Sequence, residues 1–464
     1  MNLEKALLNF LLIFTAIFFC SCASNGDIAT VESLYYDSKN LQDSYQYAKN
    51  YADDDFLWAT QSGILAYQTG DFDNATLFLD KGEAFYESVN GDSGTSAFKT
   101  FASIIVSNGM FEYGGAFYES VFANHYKALN AIMKGDYASA RVEFNRANDR
   151  HRRAKEHFAD YITKRNESIS QSISEYDAQT DNVNVNKSYD SAISIYGTQY
   201  YNLGRYKAFD GYVNPYISYL SGVFFLTQRD FDKSLDLLKE AYGITSKKAI
   251  LEDIKILQSR KNRKDSSTYT WIIIEEGQIP KKEEIRLDLP LFFINANILS
   301  FNVALPILKE ATPYSTHYNA KSIRQVAESF EVATIAPLVA NEFEIDLPYI
   351  IATSILSSSY KAYLQYLLGE KLGFFGSLAG AVFSYATTNA DIRSIRILPL
   401  RFYILRFKNS FGDFSLYNGG VKLRDFHLNA CETLCKNSDN LIYIRIIKND
   451  IISLLTHTFK GESQ

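Results

Sequence analysis

Gly63-Ile64-Leu65-Ala66-Tyr67-Gln68-Thr69-Gly70-Asp71-Phe72-Asp73-Asn74-Ala75 decides how the first half of this chain folds. Gly70 supplies a residue that ends a helix in the left-handed conformation without steric cost. Asp71 caps the start of the next helix through its side-chain oxygen. An aromatic, Phe72, follows the turn; Ala75, Leu79 and Gly82 then recur at helical spacing. The pattern returns as Gly135-Asp136-Tyr137 with Ala140, Phe144 and Ala147. It returns again as Arg229-Asp230-Phe231 with Ser234, Leu238 and Ala241, preceded by Gly222. Residues three, four and seven apart share one helix face, and small residues there let two helices approach closely. Three helix–turn–helix units are the reading.

The spacing resembles the tetratricopeptide repeat, a module of about 34 residues. The likeness is tightest at the turn and second helix, with Trp58 near the position where the repeat favours that residue. Ala75 and Ala140 stand sixty-five residues apart, which leaves room for a degenerate unit between the first two copies. The longer gap from Ala140 to Ser234 contains the polar stretch Glu167 to Asn186, read as a loop of about 167–186. Arrays of this kind bury a shared core and leave a concave face for partners.

Upstream, the uncharged run Ala6 to Phe19 follows Lys5 and leads into Phe19-Cys20-Ser21-Cys22. The run is too short to span a bilayer and matches an export-signal core. A small residue before Cys22 marks the end of a bacterial lipoprotein signal, so residues 1–21 are read as cleaved and Cys22 as lipidated. The alternatives are a secreted protein without lipid and an uncleaved anchor. Ala23-Ser24, with no aspartate second after the cysteine, favours the outer membrane, periplasmic face, in a two-membrane bacterium.

A formal charge of −6 argues against nucleic-acid binding, which rests on clustered Lys and Arg. Thirty-three Tyr and thirty-three Phe read as interhelical packing. After cleavage, Cys431 and Cys435 are the cysteines left beyond Cys22; they are read as unpaired or locally bridged, with no metal site. The basic segment Lys247 to Lys264 reads as a solvated helix end and linker.

From there the pattern changes. Tyr269 to Ile274 reads as a buried strand, Glu275 to Gln278 as a turn, and Glu284 to Leu289 as a half-buried strand. Ile395 to Phe407, Phe414 to Leu423 and Leu441 to Ile447 complete an expected small antiparallel sheet, with a helical insertion at about 320–390. Within it, Leu372 to Ala390 carries no charge and spaces Gly373, Gly376, Gly380 and Ser384 three or four apart. A buried helix is favoured there over a segment that enters a membrane. The fold class is therefore α+β: a tetratricopeptide-like helical domain over 22–262, then a mixed α/β domain over 263–464.

Four sets of residues carry a resemblance across most of the chain. They are His125 to Leu129 with Gly135-Asp136-Tyr137; Asn214-Pro215-Tyr216 with Tyr219 to Gly222; Gly277 to Lys281 before Leu289-Pro290; and Ala390 to Ser394 before Leu398-Pro399. In this order they resemble a group of uncharacterised bacterial lipoproteins with tetratricopeptide-like repeats. Ile395 departs from that pattern, which has an aromatic there. The resemblance implies association with other envelope lipoproteins, including types similar to activators of penicillin-binding proteins and to curli-secretion lipoproteins. It implies no catalytic residues.

No phosphate-binding, dinucleotide, nucleophile-elbow or zinc-protease motif is present. His151 and His157 sit among arginines and read as surface residues. Asp53-Asp54-Asp55 lacks the ligand spacing of a calcium loop and reads as the cap of a helix beginning near Phe56. Asp391, Arg393 and Arg396 beside Leu398-Pro399 form the one candidate functional motif, against the plainer reading of an internal salt bridge that fixes a strand's entry. The expectation is a lipid-anchored envelope protein that is not an enzyme, needs no cofactor, and binds envelope proteins, other lipoproteins among them. A nutrient-binding lipoprotein for glycans or peptides is the alternative.

Overall fold

The computed structural model describes residues 25–90, 113–179, 200, 213–292, 298–315, 317–429 and 434–460. Cys22 and the segment before it lie outside the described residues. A short helix α1 (Asn25–Glu32) runs into a π turn over Ser33–Asp37, then α2 (Leu41–Lys49). Three antiparallel helix pairs follow: α3 (Phe56–Thr69) with α4 (Phe72–Asn90), α5 (Phe117–Lys134) with α6 (Tyr137–Gln179), and α7 (Pro215–Thr227) with α8 (Phe231–Thr245).

The turns form for the reasons the residues give. Gly70 and Gly135 end α3 and α5 at φ +84° and +74°. Asp71 and Asp136 accept the backbone N–H of Asn74 and Ser139. The third turn solves the problem differently. Arg229 itself takes φ +59°, and Asp230 makes no cap but pairs with Arg141 of the preceding hairpin at 2.5 Å. Asp55 does cap α3, accepting the Trp58 N–H at 3.1 Å. Gly63 and Gly222 are close-approach positions: a Cβ would fall 2.6 Å from the Leu79 Cγ and 2.8 Å from the Leu238 Cγ. No side chain lies near Gly135, so Gly135→Ala isolates the backbone cost. It is expected to lower stability by about 1–2 kcal/mol, read as a shift in the denaturant midpoint.

Among the described residues the first two hairpins pack directly on each other; the degenerate unit expected between them falls on residues that are not described. Asn130 of α5 donates to the Phe72 carbonyl and the Thr76 hydroxyl of α4 at 3.0 and 2.8 Å. Residues 91–112 lie outside the described residues. The polar stretch expected as a loop over 167–186 continues as helix to Gln179, because α6 gains a partner beyond the repeat: Tyr161 donates to Asp346 at 2.5 Å. The basic segment is itself a helix, α9 (Lys248–Lys261), since Ile250, Ile254, Ile256 and Leu257 give it a buried face.

The second half is strand-rich, making the chain α+β, but its sheets differ from the single small antiparallel one expected. The strands are β1 (Tyr269–Glu276), β2 (Lys282–Phe292), β3 (Ile298–Leu308), β4 (Tyr318–Lys321), β5 (Val326–Glu328), β6 (Phe330–Thr334), β7 (Arg401–Lys408), β8 (Phe414–Asn418), β9 (Val421–Phe426), β10 (Asn440–Ile447) and β11 (Asp450–Thr458). The main sheet has the order β11-β10-β1-β7-β6 and is mixed: β1 pairs parallel with β10 and antiparallel with β7. β2 and β3 form a separate hairpin, and β5-β4-β8-β9 a second sheet. Glu275 and Glu276, expected in a turn, are strand residues; the chain turns at Gly277, φ +80°. Ile395 to Leu400 precedes β7 as a loop rather than opening the strand.

Strands β4 to β6 occupy the start of the expected helical insertion, which begins only at Ala336 as α10 (Ala336–Thr387). This element breaks at Gly373 (φ 61°, ψ −144°) into two arms. The second folds back on the first: a Cβ on Gly380 would meet the Gln365 Cα at 2.9 Å, and one on Gly369 the Ser377 Oγ at 2.5 Å. Small residues thus let the arms pack. Among the described residues no helix is long and apolar enough to cross a membrane.

Candidate functional site

The concave side of the three hairpins is lined by their first helices, α3, α5 and α7. Every residue of α7 from Pro215 to Leu226, and of α3 from Phe56 to Gln68, is buried. Their hairpin partners cover one side of them and the main sheet covers the other. Tyr216 stacks on Phe402 of β7 at 4.0 Å, Phe122 stacks on the same ring at 5.6 Å, and Tyr67 meets Tyr443 of β10 edge-on at 5.0 Å. One hydrophobic core runs through both halves of the chain. The groove that such repeats ordinarily offer a partner is filled by the chain's own sheet.

At the centre of this contact sits a fully buried polar network. Glu275 of β1 accepts the hydroxyls of Tyr126 (2.6 Å), Tyr443 (2.8 Å) and Tyr216 (3.2 Å), one from the sheet and two from the helices. Burial pushes its carboxyl up; the tyrosines and the nearby Arg445 pull the other way. Arg445 of β10 donates to the Tyr35 hydroxyl (3.0 Å), the Tyr36 hydroxyl (3.2 Å) and the carbonyls of Glu275 (3.2 Å) and Gly277 (2.8 Å). Tyr35 donates onward to Gln68 of α3 at 2.8 Å. A second bond set joins α9 to the sheet: Asp253 receives Trp271 Nε1, the Tyr219 hydroxyl and Arg406 at 3.2, 3.0 and 2.6 Å. Buried charges are stable only when satisfied in this way.

The N-terminal strap is built into the same region. Glu32 of α1 pairs with Arg396 at 2.8 Å and Lys281 at 2.9 Å, and accepts Gln278 at 2.7 Å. Tyr36 donates to the Arg396 carbonyl at 3.0 Å. The candidate motif is thereby dispersed. Arg396 serves the strap, whereas Arg393 forks onto Asp391 at 2.9 and 2.8 Å and covers the Tyr113 ring. Pro399 is buried in the loop that enters β7. Glu119 ties this loop to α5, accepting the Ile395 N–H at 2.7 Å and the Tyr113 hydroxyl at 2.8 Å. Asp391 and Arg393 therefore form the internal salt bridge weighed from sequence.

Against the cost of burial, the Arg393 guanidinium holds the Asp391 carboxyl down at about 2. A depressed carboxyl contributes stability that is complete above its unfolded value near 3.9 and is lost as pH falls through 2. Asp391→Asn is expected to lower stability at neutral pH by about 1–3 kcal/mol. It should also flatten the stability profile between about pH 4 and 2, measured by denaturant titration across that range.

The repeat-defining residues are structural. Ala75, Ala140, Ala147 and Ala241 are wholly buried between helices. Tyr137 reaches the edge strand, bonding His457 at 2.8 Å, and Phe231 is partly buried against the core. The histidine expectation is corrected for one residue: His151 is 3% exposed, because the inner face of α6 packs on α5. His157 is partly exposed and stacks on Phe117 at 4.6 Å. Phe117, Tyr118, His151, Phe158 and Glu342 line a small cleft of about 10 Å³, room for about one water and far below the usual range of about 300–1,000 Å³ for small-molecule sites. Glu342 caps α5 there, accepting the N–H groups of Phe117 and Tyr118. Among the described residues no group of three His, Cys, Asp or Glu is placed to hold a metal. Cys435 is disulfide-bonded to a cysteine outside the described residues.

Glu275, Arg445, Tyr35 and Tyr36 went unread in the sequence. Their signal was present: Arg445 is a lone charge inside the apolar strand Leu441 to Ile447, and a charge there must find buried partners. Compared with known protein families, curated proteins and solved structures, the chain matches none.

Proposed function

We propose that this chain is a lipid-anchored envelope protein that works as a protein–protein scaffold or regulator of an envelope assembly, such as cell-wall synthesis or secretion. The observation that carries the reading is the strap. Residues 28–36 are locked into the core through Tyr35, Tyr36 and Glu32, and Cys22 precedes Asn25 by three positions. A lipid on Cys22 would hold a rigid body close against the membrane. Buried groups of the kind a catalyst uses, Glu275 and Glu119, are spent on the chain's own hydrogen bonds.

With the concave face filled, partners meet the outer helices. Leu77 of α4 and Val142 of α6 stand five positions after the turn aromatic in their repeats, and are 59% and 46% exposed. Photo-crosslinkers placed at these two positions in cells, followed by mass spectrometry, are expected to capture a defined envelope protein, while one at buried Phe144 captures none. Absence of any crosslinked protein, with tight binding of a soluble glycan, would replace the scaffold with nutrient capture.

A further inference from the structure

The folded-back arms of α10 have a composition unlike the rest of the chain. Leu347 to Ala390 holds three charged residues, Lys361, Glu370 and Lys371, in a chain that is 22% charged. Lys361 is 2% exposed. The second arm, after Gly373, has no charge at all, yet Phe374 is 75% and Leu378 51% exposed, on one face. A water-facing helical arm ordinarily carries charge on its outer side. The hairpin beside it has the same bias, since the sequence between Asp288 and Lys309 contains no charged residue.

The arms and the start of the chain share one end of the molecule. The base of the second arm meets β2: the Ala390 N–H donates to Glu284 at 2.8 Å and Arg286 donates to Asn389 at 3.1 Å. Glu32 pairs with Lys281 and Arg396 on either side of that base. From Glu32, α1 and three further residues reach Cys22 within about 22 Å. The arm from Phe374 to Thr387 is about 21 Å long. It is too short to cross the hydrocarbon core of about 30 Å, so its exposed apolar face would rest in the interface.

We infer that the tip of this helical hairpin, Phe374 and Leu378, is a second membrane contact that enters the headgroup–acyl boundary beside the lipid on Cys22. The inference rests on the anchored reading for its geometry. Acyl chains on Cys22 hold the chain at the membrane, and a second apolar contact fixes how the folded body stands on it. Exposed Glu370, which accepts the Tyr366 hydroxyl, stays at headgroup level and sets the depth.

The test uses Phe374→Trp in the full chain, on vesicles of phosphatidylethanolamine and phosphatidylglycerol containing brominated acyl chains. The native Trp58 and Trp271 are 5% and 1% exposed and supply a constant background. The introduced indole is expected to shift to the blue and be quenched. In a Cys22→Ser background, Phe374→Asp with Leu378→Asp is expected to weaken vesicle binding about tenfold or more, given a cost of about 2.5–3.5 kcal/mol for an acid at full depth and less at the interface. Both positions are exposed, and an unchanged melting temperature verifies folding. Quenching that persists while mass spectrometry finds no acyl chain on Cys22 would reject the lipid anchor but keep the hairpin contact. An unquenched indole in vesicle-bound protein would overturn the inference, as would self-crosslinking through position 374, which would make the tip a contact between copies.

Discussion

Replacing Arg445 with alanine is expected to cost about 3–5 kcal/mol, the penalty for breaking a buried charged network by removing one member. Arg445 is wholly buried and is bonded to two tyrosines of the strap and two carbonyls of the β1 end. Without it, those hydroxyls and carbonyls lose a donor inside the protein, and the neighbouring Glu275 loses its compensating charge. Domain stabilities are typically about 5–15 kcal/mol, so the loss is a large share of the total. Arg445→Lys restores charge but not the fork and is expected to recover only part of it. Denaturant midpoints of the two variants, with limited proteolysis at the strap, check this. A strap that stays protected in Arg445→Ala would show that the network does not hold it.

The second large effect is acid sensitivity well above the carboxylate range. Burial holds His125 and His151 down at about 3. His125 lies among the rings of Phe122, Tyr126, Phe144 and Tyr216, with neither ring nitrogen hydrogen-bonded among the described residues. The folded state keeps these rings neutral, whereas the unfolded chain protonates them near 6.5. Stability is therefore complete above pH 6.5 and falls as pH drops toward 3, by about 1.4 kcal/mol per unit for each histidine. His125→Phe removes the His125 slope, leaves those of His151, His157 and His457, and breaks no hydrogen bond among the described residues. It is expected to be near neutral at pH 8 and more stable than the parent at pH 5. Equal loss in both proteins between those values would contradict the assignment.

Much of the helical half was legible because its rules are local. Gly70-Asp71-Phe72 and Gly135-Asp136-Tyr137 carry a C-cap, an N-cap and a packing aromatic within three residues. Where the third copy lacked Gly, the cap changed hands, and only Arg141 across the hairpin boundary shows what Asp230 does. The sheet was less legible. Pairing of β1 with β10 joins Thr270 to Asn440 across 170 residues, and nothing in either strand's alternation specifies a parallel neighbour. The Asp391–Arg393 motif was found, but its role as an internal clamp depended on Glu119 and Tyr113 from α5 and the chain before it. The central network was hidden because tyrosines from four separate segments converge on it, each reading singly as ordinary packing.

The repeats and the sheet form a single core that closes the inner face of the repeats. Trp271 lies in β1 of the sheet, whereas far-UV ellipticity is dominated by the helices. In Trp58→Phe, urea unfolding followed by Trp271 emission and by ellipticity at 222 nm should give one midpoint and one slope. Two separated transitions, with the helices persisting after the sheet has melted, would contradict it and reopen the concave face as a binding groove.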